Sequence, residues 1–475
     1  MKKIKVIGGG LAGPEAALQA AAAGCHVVLY EMRPIRSTEA HQTSDFAELV
    51  CSNSLKSESE NSAPWLLKQE MRRANSFLLA DADATAVPAG HALAVDRELF
   101  SQRVAARIAD QPLITVHREE VTTLNEHDPN IITILASGPL TSPALTAELQ
   151  RLTGADHLAF YDSISPIVDA TTINMDRVYF AARYDKGTAD YINCPFTKEE
   201  YETFLDALIA AEAVPPKPWE NIPESTESGA PYMTASSSCV GGTITEPSTT
   251  PAKLQYFEGC LPIEETARRG RDTLRFGPMK PVGLTDPKTG RWPYAVVQLR
   301  QENLRADSYN LVGFQNHLKF GEQARVLRLI PGLENATFLR YGQIHRNTYI
   351  HAPSLLTETL QLKAHPTILI AGQLSGVEGY TESIASGLLA GRYAAALAQG
   401  NQPTPAPRIS ANGSLTHYIT HCETKKFTPA NITFDLLPPL EEDLRKKIRD
   451  KKERHRLQCD RALEAWQQWL ATTHS

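Results

Sequence analysis

A chain of 475 residues, 42% hydrophobic and 21% charged, can bury the cores of two or three domains and is ordinary for a globular protein. A formal net charge of -6 excludes any overall attraction to nucleic acid, so an RNA partner has to be held by local basic patches. No apolar run is long enough to span a bilayer, and the start MKKIKVIGGG enters a strand and glycine loop without a signal core, so no membrane association is expected.

The seven cysteines are an odd number, and no two are three residues apart, so neither zinc-type nor dithiol spacing is present and no metal site is expected. Without a disulfide framework, the cytoplasm is the expected compartment.

Residues 4–7 form a short apolar strand. Gly8, Gly10 and Gly13 follow in G-x-G-x-x-G spacing, with Gly9, Leu11 and Ala12 between them. PEAALQAAAAG then reads as an alanine-rich helix ended by Gly24, and residues 26–30 as a second strand that ends on Glu31. Gly8 makes the tight turn, Gly10 lets the backbone approach a pyrophosphate, Gly13 permits close helix packing, and the helix N-terminus favours the phosphate charge. Glu31 is placed to bind ribose hydroxyls. A glycine triplet alone is weak evidence; strand, loop, helix, second strand and terminal acid in this order form the dinucleotide fingerprint. A purely structural glycine turn would leave Glu31 without a role.

Further along, ITILASGP at 132–139 reads as a strand running into a glycine crossing, like the one two-dinucleotide-domain flavoproteins use midway. Residues 156–335 mix strand candidates such as RVYFAARY and PYAVVQLR with helical runs such as YETFLDALIAAEA, the pattern of a substrate domain inserted into the flavin domain. Within it, 22 of the 40 residues of 214–253 are Pro, Ser, Thr or Gly, too few apolar groups to offset ordering entropy, so a long excursion is expected there and Cys239 is incidental. Residues 367–371 read as another strand, followed by a glycine-rich crossing with Gly372 and Gly379 and a long small-residue helix containing Ser383. These elements favour FAD over NAD, and because no second complete triplet occurs, a nicotinamide reductant needs a site without its own fingerprint. The C-terminal part starts proline-rich and ends helical. Its stretch LRKKIRDKKERHR, 444–456, has eight Lys or Arg against two acids and reads equally as a solvated helix face or a phosphate-contacting surface.

The expected fold class is therefore α/β: a Rossmann-like FAD-binding domain of the glutathione-reductase type, 1–155 and 336–400, interrupted by an α+β insertion, 156–335, and followed by a helical basic segment, 401–475. No internal repeat is present.

KIKVIGGGLAGPEAA, EMRP, FAELVCSNSLKS, VPAGHALAVDR, YFEGCLPIE, RFGPMKPVGL, PYAVVQLRQ, YNLVGFQNHLKFGEQ, RYGQIHRNT and AGQLSGVEGYTESIASG together resemble the folate- and FAD-dependent tRNA (uracil-5-)-methyltransferases, within the wider GidA-like flavoproteins, over nearly the whole chain. The segment before Cys260 is longer than that family's usual connection. The resemblance implies FAD as cofactor, 5,10-methylenetetrahydrofolate as carbon source, NADPH or NADH as reductant and the T-loop uridine (position 54) of tRNA as substrate, with no protein partner. Uracil C5 is a poor nucleophile until a group adds to C6, and a thiolate can both add and leave again. Cys260 is the implied nucleophile, with Gly259 allowing close approach and Arg268, Arg269 and Arg271 lowering its pKa or holding phosphate; the plainer reading is a buried thiol that fills space. Cys51 is the implied second thiol, near the flavin and assisting removal of the C5 proton, against a structural thiol. His345 is the candidate for stacking on the pterin, with Arg346 and Asn347 beside it. The target uridine has to be flipped out of its stack, and Arg268, Arg269, Arg271, Arg275, Lys280 and the C-terminal run are candidates for its backbone. The competing readings are wobble-uridine modification as in the related GidA-like proteins, a flavin reductase of a small metabolite, and a nucleotide-binding protein without catalysis.

Overall fold

The computed structural model describes residues 2–473 except 39, 125–127, 155–157, 186–187, 216–260 and 424–426. Cys239, Gly259, Cys260 and nearly all of the 214–253 stretch lie outside the described residues.

A five-stranded sheet runs in the order Ile368–Ile370, Ile131–Leu135, Lys3–Ile7, Val27–Glu31, Ile114–Arg118, with every neighbouring pair parallel. Helices Ala12–Ala22 and Tyr380–Ala398 lie against its inner strands, where Ile4, Val6, Val27, Leu29, Ile132 and Ile134 are buried. The strands expected near 4–7, 26–30, 132–136 and 367–371 all belong to it. The edge strand ITVHR had no such signal: its middle residues are exposed, so its apolar pattern is weak. Helices Ala12–Ala22 and Tyr380–Ala398 pack against each other through small residues; a Cβ on Gly387 would lie 2.3 Å from the Ala12 carbonyl oxygen.

A second sheet of six strands is antiparallel, in the order Tyr179–Ala181, Tyr191–Phe196, Ala295–Gln301, Ser308–Leu311, Ile167–Asp169, Phe338–Arg340. It has its own core, in which Phe196, Phe204 and Phe314 interlock with helix Lys198–Ala210, whose start is fixed by a capping box between Thr197 and Glu200. The chain crosses between the sheets along a two-stranded antiparallel ribbon, Leu158–Ser163 with Ile344–Tyr349. A small sheet, Ser54–Ser57, Ala92–Val95, Ala86–Val87, lies beside the first.

The C-terminal segment is helical at Ala411–His421, Glu442–Lys447 and Lys451–Thr473. The basic 444–456 run is divided between two helices by a break at Ile448, with φ -101° and ψ 105°. The last helix folds back so that Trp466, Trp469 and Leu470 join the core of the parallel sheet, and the Trp466 indole N–H donates to the Glu70 carbonyl at 2.7 Å. Among the described residues no helix is long and apolar enough to cross a membrane.

Candidate active site

One cavity opens at the carboxyl ends of the parallel strands, lined by Gly8–Ala12, Glu31–Arg33, Ala136–Ser142 and Gly372–Gln373, the segments that leave four of those strands. Ligands of such sheets bind at this edge. A Cβ on Gly13 would sit 1.8 Å from the Gly8 carbonyl oxygen, so this glycine is required by the packing of loop on helix. A Cβ on Gly10 would meet nothing within 4 Å, so Gly10 leaves a bare backbone face towards the cavity.

Helix Ala12–Ala22 and helix Tyr380–Ala398 both begin without a side-chain cap, so first-turn N–H groups of each are left for something else. Leu11 and Ala12 of the first start, and Gly379, Tyr380 and Ser383 of the second, line the same cavity. Glu31 is 5% exposed. It accepts from the Gly9 N–H at 2.8 Å and from the backbone and side chain of Arg33 at 2.9 Å each. Burial alone would push its carboxyl up, but the Arg33 hydrogen bonds and charge, with the Gly9 N–H, outweigh it and hold the group below the ordinary carboxylate range. A permanently ionised acid at the end of the second strand, an open glycine face and two uncapped helix starts fit the ribose, pyrophosphate and ring edge of a dinucleotide.

Cys51 is half-buried and lines this cavity together with Val50, Ser52, Ser54 and Lys56. Its backbone N–H donates to the Tyr380 hydroxyl at 2.7 Å, and that of Ser52 to the same oxygen at 3.2 Å. Burial, then the nearby Cys51, pushes the Tyr380 phenol up, so Tyr380 stays protonated. Lys56 has a left-handed backbone, φ 64°, and its ammonium is shared at 2.6 Å each between Glu382 Oε1 and Asn431 Oδ1. Neither Tyr380 nor Lys56 was singled out from the sequence, although both fall inside motif blocks quoted above. Behind Cys51 stand Arg97, Arg300 and Arg340, which also fall inside quoted motif blocks but come from separate elements, so their sequence positions did not show that they meet.

The remaining expected residues are placed as follows. Gly372, Gly379 and Ser383 line the cavity. Cys260 is outside the described residues, but where the chain resumes, the Ile263 N–H donates to the Gln315 carbonyl at 2.8 Å, and Gln315 lines the cavity. His345, Arg346 and Asn347 lie on the ribbon, opposite Asp162, Tyr161 and Phe160; the adjoining Thr348 N–H donates to the carbonyl of cavity residue Pro139 at 2.9 Å. Arg268, Arg271 and Arg275 are engaged with acids: Glu265, then Glu202 and Asp206, then Asp272. The Arg275 guanidinium also stacks 3.7 Å from the Tyr294 ring centre. Arg269 is the C-cap of helix Ile263–Arg268, and the Lys280 carbonyl accepts from Arg183 at 3.0 Å.

Away from the cavity, Glu358, His417 and His421 form a cluster the sequence did not suggest. The two imidazoles stack at 4.4 Å and 11°, and both Nδ1 atoms face Glu358 Oε1, at 3.3 and 3.7 Å.

A profile of the family Glucose inhibited division protein A matches residues 3–402. The methylenetetrahydrofolate--tRNA-(uracil-5-)-methyltransferase TrmFO of Koribacter versatilis (strain Ellin345) is 64% identical over 471 residues, 99% of this chain and 98% of that protein. The protein of the same name from Solibacter usitatus (strain Ellin6076) is 58% identical over 98% of both chains. Among solved structures, Aquifex aeolicus GidA in its form II crystal superposes with a TM-score of 0.65 at 17% identity, covering 99% of this chain and 75% of that one. That likeness concerns the fold.

Proposed function

Because the chain belongs to the Glucose inhibited division protein A family, and within it to the methylenetetrahydrofolate–tRNA-(uracil-5-)-methyltransferases, we propose that it makes 5-methyluridine at the T-loop of tRNA. In this reading the carbon comes from 5,10-methylenetetrahydrofolate and the reducing equivalents from NADPH or NADH. The observation that carries it is a thiol, Cys51, on the wall of the cavity that the dinucleotide loop and two helix starts build.

Gly8–Ala12, Glu31 and the start of helix Tyr380–Ala398 would hold FAD, which when bound and reduced supplies the hydride that converts a transferred methylene into a methyl group. Cys260 adds its thiolate to uracil C6, sending the electron pair towards the C4 oxygen and making C5 a nucleophile for the methylene carbon. Cys51 then takes the C5 proton, and the pair released forms an exocyclic double bond as the carrier nitrogen leaves. After reduction, Cys260 leaves C6 with its bonding pair and the ring double bond returns. His345, Arg346 and Asn347, on the ribbon beside Pro139, are the proposed pterin contacts. Arg268, Arg269, Arg271, Arg275 and Lys280 are the proposed tRNA contacts, and the acid partners of Arg268, Arg271 and Arg275 must be exchanged for phosphate.

The test is one assay on purified protein with unmodified tRNA, folate labelled in its methylene carbon and NADPH, followed by nucleoside analysis. Label in 5-methyluridine is expected; NADPH consumption without label would overturn the reading in favour of a flavin reductase. Cys260→Ala is expected to abolish labelling while keeping the flavin spectrum, and full activity in that variant would remove Cys260 from its role.

A further inference from the structure

Among the described residues, three arginines lie within electrostatic reach of Cys51 and few acids offset them. Two arginines donate into the 49–53 loop, Arg97 from helix Arg97–Ala109 and Arg300 from strand Ala295–Gln301, and a third, Arg340 from strand Phe338–Arg340, is bonded to Ala40. Arg97 donates to the Leu49 carbonyl. Arg300 donates through Nε to Asn53 Oδ1 at 2.9 Å and through a terminal nitrogen to Ser52 Oγ at 2.7 Å. Arg340 donates to the Ala40 carbonyl at 3.1 Å, and its Nε is buried with no hydrogen-bond partner among the described residues. All three lie within electrostatic reach of Cys51.

Among the described residues, the anions facing this group are few. Glu302 pairs with Arg97 and also acts on Arg300. Glu48 acts on Arg340 but is itself bound to Arg33 at 2.9 Å. Tyr380 and Tyr191, the phenols nearest the arginines, are both pushed up by burial and stay neutral. Burial, with mutual repulsion from Arg97, holds the guanidinium groups of Arg300 and Arg340 below their ordinary range, yet arginine does not give up its proton in a protein. Buried cations short of counter-charge favour an anion on any ionisable neighbour. Cys51 is the neighbour that can supply one.

We infer that Arg300 and Arg340, with Arg97 behind them, are positioning residues that hold Cys51 as a thiolate on the cavity wall, ready to receive a proton. The inference rests on the methyltransferase reading for its chemistry: the thiolate sulfur forms a bond to the C5 proton, the C–H pair becomes the exocyclic double bond, and the carrier nitrogen departs with its own pair. An anionic sulfur is the form in which a cysteine is a base.

The experiment is a pH titration of thiolate ultraviolet absorbance on the FAD-loaded enzyme, as the difference between wild type and Cys51→Ser, with iodoacetamide labelling of the Cys51 peptide read by mass spectrometry in parallel. Half-ionisation is expected at or below about pH 7, against about 8.5 for an ordinary thiol. Arg340→Gln and Arg300→Gln are each expected to move it upwards and to slow labelling at about pH 6.5 roughly tenfold, the effect of one pH unit on thiolate fraction. Arg340→Lys, which keeps the charge, is expected to stay near wild type, and flavin absorbance in each variant reports that the fold is retained. Ordinary titration of Cys51 in the wild type, or no shift in either glutamine variant, overturns the inference. An enzyme that makes no 5-methyluridine while Cys51 titrates low loses the proposed reaction and keeps the thiolate; one that methylates while Cys51 titrates ordinarily keeps the reaction and loses the thiolate.

Discussion

Gly10 and Gly13 both lack a side chain, for opposite reasons. Gly13 is closed in, and Gly13→Ala drives a methyl group into the Gly8 carbonyl, so it is expected to cost about 1–3 kcal/mol and to lower the melting temperature even without cofactor. Gly10 faces open space, so Gly10→Val is expected to leave the flavin-free melting temperature near wild type and to remove the flavin absorbance of the purified protein. Equal loss of stability in both would refute the cradle. These residues, with Glu31, were legible in the sequence because the fingerprint is local: its parts lie within one strand–helix–strand unit. Cys51 was legible through its motif block. The arginines around it each stand in a quoted block too, but their convergence was not legible, since Arg97, Arg300 and Arg340 are brought together only by the pairing of elements far apart in the chain. Arg271 shows the reverse limit: its basic character is plain, but its acid partners Glu202 and Asp206 sit on another helix.

At the scale of elements, helix Ala63–Arg73 and helix Ala411–His421 are joined by one buried carboxyl. Glu70 accepts from the Ala411 N–H at 2.6 Å and from the Asn412 N–H and side chain at 2.9 Å each, capping the second helix from the body of the first. Burial pushes its pKa up to about 7, the hydrogen bonds opposing but not cancelling the effect. A carboxyl raised in the folded state stabilises the fold fully below its unfolded value of about 4.3, and that contribution is lost as pH rises towards 7. Melting curves from about pH 4.5 to 7.5 are therefore expected to fall less steeply in Glu70→Gln than in wild type, although the variant loses one acceptor and is less stable at the low end; parallel curves would show that Glu70 does not titrate in this window. The helical character of the C-terminal part could be read from its pattern. The break at Ile448 could not, because nothing as strong as a proline or glycine marks it.

In the whole molecule, the C-terminal helix is part of the flavin-domain core. Trp466 is fully buried, stacks on Trp469 at 4.7 Å and is anchored to Glu70. Trp466→Ala is expected to cost about 3–5 kcal/mol and to lower both melting temperature and flavin content; an unchanged flavin content with a lowered melting temperature would separate this helix from the cavity. Three strands of the parallel sheet were readable because each runs into a glycine crossing and a fourth because it ends on Glu31, whereas the six-stranded sheet joins strands up to Arg340 by antiparallel pairings that no local pattern announces. The ribbon linking the two sheets is paired over Ile344↔Ser163 through Tyr349↔Leu158, so both crossings of the chain are stitched into one register. Strand Ala295–Gln301 of the six-stranded sheet meets the 49–53 loop through Arg300, which donates to Ser52 and Asn53. The cationic dress of Cys51 is therefore cut from both sides of the seam: Arg97 comes from the helix that follows the small sheet, Arg300 and Arg340 from the six-stranded sheet.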